Sequence, residues 1–213
     1  MNSSNSTSPL SINDVLGGLP ETACFTPFGI IDLSTPKESD VNICFIAQAL
    51  SRIPRFNGLT GDYGTYSVAQ HCVIGAKALC EETKDEKLAL RFLLHDAHEM
   101  YLGDIIRPVQ KCFGSDFSKQ LEAITSKWDK VIYQKFGLKP PSSAEEKLIH
   151  EMDDLMLAYE CRKFYPEHFK QQPEIRGVNS TAVNVVILLG LAKAWEEQKA
   201  KELFLSFLSA WRT

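Results

Sequence analysis

From Ser39 onward, apolar residues recur every three to four positions, the period of a helix that buries one face. Ile43, Ala47 and Leu50 predict a first helix, capped by Asp40 and stopped before Pro54. A glycine-containing loop from Arg55 to Thr65 follows. Further helices are predicted from about Ser67 to Glu82, and from about Asp85 to Tyr101 with Gly103 closing the second. A longer one spans about Ser115 to Phe136, with Phe117, Leu121, Ile124, Trp128 and Ile132 at helical spacing, and another about Ser143 to Tyr165. The stretch from about Val183 to Trp211 is again helical, with a weak point at Gly190. Residues 1–12 are rich in Ser and Asn and read as disordered. Residues 13–37 read as an irregular lead-in with a short extended piece at Phe28–Leu33, and residues 166–179 suggest no role. There is no internal repeat, and strand alternation is nearly absent. The expected fold class is therefore all-α, a helical bundle in a single domain over residues 13–213.

Composition narrows the picture. In 213 residues, 44% are hydrophobic, enough for a sizeable core. Lys and Arg number 23 against 27 Asp and Glu, a net charge of -4, which excludes a bulk duplex nucleic-acid binder. The six cysteines form no C-x-x-C pair and lie in apolar runs, so they read as core thiols of a reducing cytoplasm. The N-terminus does not read as a signal peptide. The longest apolar run, near Val185–Ala192, is far short of the roughly 20 residues of a membrane span. A cytoplasmic protein with no membrane partner is expected.

The candidate chemistry centres on Leu93-Leu94-His95-Asp96-Ala97-His98-Glu99. A buried carboxylate without a partner costs several kcal/mol, and a metal is one way to offset that. On a helix, His95 and Asp96 diverge by about 100° but can both reach a cation in a groove between helices. Glu99 falls on the same face as both, placed for acid/base work or for supporting a ligand. His71 lies on the preceding helix beside Gly75 and Ala78, small residues that let another helix approach. On the helix from Ser143, Ile149, Asp153, Met156 and Glu160 share a face next to an apolar stripe, so Asp153 is preferred to Asp154. The candidate ligands are His71, His95, Asp96 and Asp153, a mixed N/O set that does not choose among Mn, Co, Fe, Zn and Mg. The competing readings are a surface His–Asp pair and a hydrogen-bonded core histidine at position 71. His98, His150 and His168 read as exposed or capping.

The order His71, then His95-Asp96, then Asp153 resembles the HD-domain metal-dependent phosphohydrolases. The likeness is closest to the branch of bacterial 5′-deoxynucleotidases and the small phage dATP triphosphohydrolases. Tyr66-Ser67-Val68-Ala69-Gln70-His71 resembles the first-histidine motif there. His95-Asp96-Ala97-His98-Glu99 with Gly103-Asp104-Ile105 and Pro108-Val109 resembles the central motif, and Leu50-Ser51-Arg52-Ile53-Pro54-Arg55-Phe56 resembles the segment carrying a phosphate-binding arginine. The likeness runs from about Asp40 to Glu160. It implies an HD-type helical bundle with one divalent metal ion on His71, His95, Asp96 and Asp153. It implies Glu99 and Asp104 as catalytic carboxylates, with Asp104, Arg55 and Phe56 at the substrate. Phe56 departs from the tryptophan of the well-described nucleotidases. The activity implied is hydrolysis of deoxynucleoside 5′-phosphates in a homo-oligomer. Three alternatives stand beside it: a phage-type triphosphohydrolase, a catalytically silent nucleotide-binding module, and, from His98 alone, a di-iron oxygenase.

Overall fold

In the computed structural model the described residues are 16–170 and 181–211. The disorder expected of residues 1–12, and most of the 166–179 stretch, lie outside them. The chain divides between Pro36 and Lys37 into two compact units. The first holds an antiparallel hairpin of β1 (Ala23–Thr26) and β2 (Gly29–Asp32), paired from Ala23 with Asp32 to Thr26 with Gly29. The extended piece expected at Phe28–Leu33 thus has a partner strand that the pattern did not reveal. Four residues carry too little alternation to register, and Pro27 at the turn was the visible signal.

The second unit is helical, in line with the expected all-α class. Its first helix, α1 (Ile43–Leu50), is capped by Asn42, whose side chain accepts from Cys44 N (3.1 Å) and Phe45 N (3.3 Å). The expected cap, Asp40, instead ends a 3-10 turn and accepts from Lys37 N at 2.9 Å. The first side chain able to reach the free N–H groups takes the cap. The central helix is α2 (Val68–Thr83), capped by Ser67 and buried throughout Val68–Ala76. Gly75 lets Phe92 of α3 (Glu86–Leu94) lie against its backbone; a Cβ there would come within 2.2 Å of the Phe92 ring.

The helix expected to reach Tyr101 stops at Leu94. Residues 95–98 form a turn, and α4 (Glu99–Leu102) ends at Gly103, whose φ of +78° suits a residue without a side chain. After it come α5 (Arg107–Phe113), which the pattern did not predict, and α6 (Ser115–Lys135), whose Trp128 stacks on Tyr101 at 3.6 Å between ring centroids. The next long helix, α7 (Ser143–Phe164), opens with a capping box of Ser142 and Glu145 and is followed by α8 (Pro166–Phe169).

The helical signal from Val183 resolves into α9 (Thr181–Gly190) and α10 (Glu197–Trp211). Gly190 packs on Ile74, where a Cβ would meet Ile74 Cγ1 at 2.6 Å. The buried Gln70 amide serves the break: it donates to the carbonyls of Gly190 and Lys193 (3.0 Å each) and accepts from Trp195 N (2.9 Å). Of the cysteines, Cys72 is buried while Cys44 and Cys112 are exposed, so the core assignment holds for Cys72 and fails for those two. No helix among the described residues is long and apolar enough to cross a membrane.

Candidate functional site

Four side chains from three places in the helical unit meet at one point. His71 is fully buried in the second turn of α2, and its Nδ1 lies 2.7 Å from Glu160 Oε1. Its Nε2 faces the other way, 3.2 Å from Asp153 Oδ1 and 3.8 Å from Asp96 Oδ2. His95 Nδ1 lies 2.6 Å from the Phe92 carbonyl, which can only accept, so Nδ1 carries the proton. His95 Nε2 is then 3.2 Å from Asp96 Oδ1 and 4.0 Å from Asp153 Oδ1. Both Nε2 atoms are buried, and neither makes a hydrogen bond. Ligand atoms of His71, His95 and Asp96 all lie within 4.8 Å of one another, so these residues could hold a metal ion. The turn at 95–98 releases His95 and Asp96 from helical spacing; its bonds run from Ala97 N to Leu94 O (3.0 Å) and from Glu99 N to Asp96 O (3.0 Å).

Charge at the site is dominated by carboxylates. Asp96, Glu99, Asp104, Asp153 and Glu160 gather around Arg55, a permanent cation. The Arg55 guanidinium is nearly enclosed: Nε lies 3.3 Å from Glu160 Oε2, Nη1 3.5 Å from Asp96 Oδ2 and Nη2 4.0 Å from Asp153 Oδ1. Burial and Arg55 both favour the neutral His71 ring, yet Glu160 and Asp153 outweigh them and its pKa is pushed up to about 9. A cation between His71 and the two aspartates would compete with that proton for the Nε2 lone pair. Burial holds the pKa of His95 down, against the pull of Asp96 and Asp153. Burial also opposes the charge on Asp153, but the closeness of His71 and the charges of His95 and Arg55 prevail and lower its pKa. Glu99 is raised well above the usual carboxylate range by burial, then by Asp96 and Asp104. Its Oε2 is buried with no hydrogen-bond partner. Asp104, in the loop after Gly103, is raised too, by burial and then Asp96, with Arg55 opposing.

Glu160 is the residue of the site to which the pattern gave no role. It has no exposed surface, and it accepts from Tyr66 Oη at 2.8 Å besides binding His71 and Arg55. The charges of Arg55 and His71 overcome its burial and lower its pKa. Its signal was its place seven residues after Asp153, two turns along one helix face. Phe56 sits in left-handed backbone (φ +56°), and its ring meets Phe164 and Tyr165 at 5.5 and 5.9 Å.

His150 and His168 are exposed. His98 stands at the N-cap position of α4, its carbonyl accepting from Tyr101 N and Leu102 N, but its side chain does no capping and is not exposed: it is part-buried, and its Nδ1 lies 3.0 Å from Asp129 Oδ1. An inward-facing aspartate on α6 provides a reason for the difference. Asp154 points outward and, with Asp153, receives the fork of Arg107, each oxygen 2.8 Å from a guanidinium nitrogen. A cavity of about 440 Å³ opens from His95, Asp96 and Asp153 towards Arg107, Lys130 and Tyr133. Its size is that of a small-molecule site.

No protein-family model matches the chain. The chain is 35% identical over 111 residues to an uncharacterized protein of Rhodobacter capsulatus, covering 51% of this chain and 54% of that protein. It is 34% identical over 158 residues to the uncharacterized protein YfdR of Escherichia coli, covering 74% of this chain and 80% of the relative. The chain belongs to the same family as YfdR.

Proposed function

We propose that the chain is a metal-dependent phosphohydrolase of the HD type that cleaves deoxynucleoside 5′-phosphates to deoxynucleoside and phosphate. The observation that carries this reading is the pair of buried, unpartnered Nε2 atoms of His71 and His95, turned towards Asp96 and Asp153. A buried polar atom without a partner costs about 1–3 kcal/mol, and a cation among the four side chains would remove that cost at both. Two imidazoles and two carboxylates fit one divalent ion such as Mn, Co, Zn, Fe or Mg, with positions left open for water and a substrate oxygen. When bound, the ion would supply Lewis-acid polarisation of a phosphate oxygen and a water of lowered pKa.

The remaining roles fall to the chain itself. Arg55, whose Nη atoms are engaged only at 3.5 and 4.0 Å, offers a planar fork to phosphate oxygens. Glu99, with a raised pKa and an unclaimed Oε2, is a stronger proton acceptor than an ordinary carboxylate and lies beside Asp96. Asp104 is the second carboxylate at the edge of the site. His71 is held by Glu160, and His95 by the Phe92 carbonyl, in the tautomers a ligand needs.

The test is phosphate release by the purified chain from deoxynucleoside mono-, di- and triphosphates under Mn, Co, Zn and Mg. Phosphate from the monophosphates, lost on chelation, is expected. Hydrolysis confined to the triphosphates would replace the substrate, and a chain that takes up no metal and hydrolyses none of them would overturn the reading.

A further inference from the structure

We infer that Arg107 is a positioning residue of the metal centre: it holds one oxygen of Asp153 so that only the other faces the ion, and Asp154 aims it. The inference rests on the metal reading of His71, His95, Asp96 and Asp153. Asp153 divides its carboxylate between two surroundings. Oδ2 accepts from Arg107 Nη2 at 2.8 Å. Oδ1 lies 3.2 Å from His71 Nε2, 4.0 Å from His95 Nε2 and 4.0 Å from Arg55 Nη2. The other arm of the Arg107 guanidinium, Nη1, donates to Asp154 Oδ1 at 2.8 Å. One planar fork thus bridges two consecutive residues of α7, a geometry that a lysine does not offer.

Neither fold stability nor helix formation accounts for Arg107. Its side chain is 56% exposed and that of Asp154 65%, and pairs so exposed contribute about 0–1 kcal/mol. It stands in the first turn of α5, where a cation opposes the helix dipole at a cost of about 0.3–1 kcal/mol. The centre does account for it. A carboxylate left unheld can turn and give a cation both oxygens. That turn would fill a position needed by water or a substrate oxygen. Arg107 occupies Oδ2 and prevents it. Asp154 supplies the balance of charge: Asp153, Arg107 and Asp154 together carry the charge of a single aspartate, which offsets the repulsion between the guanidinium and the ion. Arg107 and Asp153 line the same cavity of about 440 Å³ as His95 and Asp96, so the fork borders the space open to a substrate.

The experiment loads the full chain with cobalt(II) and reads the bound ion, its visible absorption, Tm, and kcat and KM on the best nucleotide of the panel. The cobalt bands weaken as more ligands surround the ion, so they report how Asp153 binds. Arg107→Ala should keep the ion and a Tm close to wild type, with weaker bands and a kcat about 10–100-fold lower at little change in KM. Arg107→Lys, which can hold Asp153 alone, should recover part of the bands and of kcat. Asp154→Asn should show a smaller change of the same kind, and none beyond that of Arg107→Ala when the two are combined. Bands in Arg107→Ala equal to wild type overturn the positioning role, and an effect of Asp154→Asn that persists in Arg107→Ala overturns the aiming role. The bands are read whether or not any nucleotide is hydrolysed, so a failed substrate reading leaves this test standing. A wild-type chain that takes up no cobalt overturns the metal reading itself.

Discussion

Glu160 shows how one buried side chain sets the state of its neighbours. It is fully enclosed and contacts Arg55, Tyr66 and His71 at once, so it orients both the guanidinium and the imidazole of the site. Glu160→Gln keeps a partner for Tyr66 but removes the charge. Losing one member of a buried ion pair costs about 3–5 kcal/mol, and losing the carboxylate behind a ligating histidine costs about 10–100-fold in metal affinity. Urea denaturation and metal titration of the variant should show both losses, and a metal affinity equal to wild type would contradict the orienting role. Asp96→Ala should abolish metal uptake and turnover together. Glu99→Gln should retain the ion at His71 and His95 and lose about 10²–10⁴-fold in kcat, measured on the best nucleotide of the panel. Arg55→Ala should raise KM for the nucleotide, and an unchanged KM would remove it from the phosphate. His71, His95, Asp96 and Asp153 were readable in the sequence because paired histidines and aspartates are rare in apolar helices. Glu160 was legible only as a member of the Asp153 face; its role depends on Tyr66 and His71, 94 and 89 positions away, and such pairings leave no local pattern.

Among the elements, α7 depends on its first turn. Ser142 N donates to Glu145 Oε2 at 2.7 Å, and the Ser142 hydroxyl reaches the same oxygen at 2.8 Å. These bonds hold the Glu145 pKa below the ordinary glutamate range, so their stabilisation is present above that range and is lost as the pH falls through the lowered pKa. Ser142→Ala should cost about 1 kcal/mol near neutral pH. In thermal melts from pH 6 down to pH 3, its deficit relative to wild type should shrink; a deficit constant with pH would rule out the Glu145 carboxylate as the source. The contact of α2 with α3 is the other sensitive point. Gly75→Ala would drive a methyl into the Phe92 ring, at a cost of about 1–3 kcal/mol. Since the Phe92 carbonyl anchors His95, metal affinity should fall with Tm, and adding Phe92→Leu should recover part of both. Helix α3 was predicted too long because apolar residues continue at the same spacing through the turn to Tyr101, and a tightened turn has nearly the same period as a helix. The change of winding is a matter of backbone bonds, which leave no trace in hydrophobicity.

At the scale of the whole chain, the helical class and most helix positions were legible from periodicity, whereas the hairpin and α5 were too short to announce themselves. The setting of His98 was hidden for another reason: the partner of His98 is Asp129, 31 positions away, and such pairings are not encoded locally. That remoteness is general here and has a kinetic meaning. His71 waits for Glu160, 89 positions on, and Gln70 for Trp195, 125 positions on. Contacts so distant along the chain close late, since the intervening segments must first be drawn together. A ribosome-bound chain that has emerged only as far as α6 possesses both histidines of the centre and neither Asp153 nor Glu160. On the proposed reading, metal capture would mark the end of folding and not its nucleus, and in refolding experiments a binding signal should lag behind the recovery of helical circular dichroism.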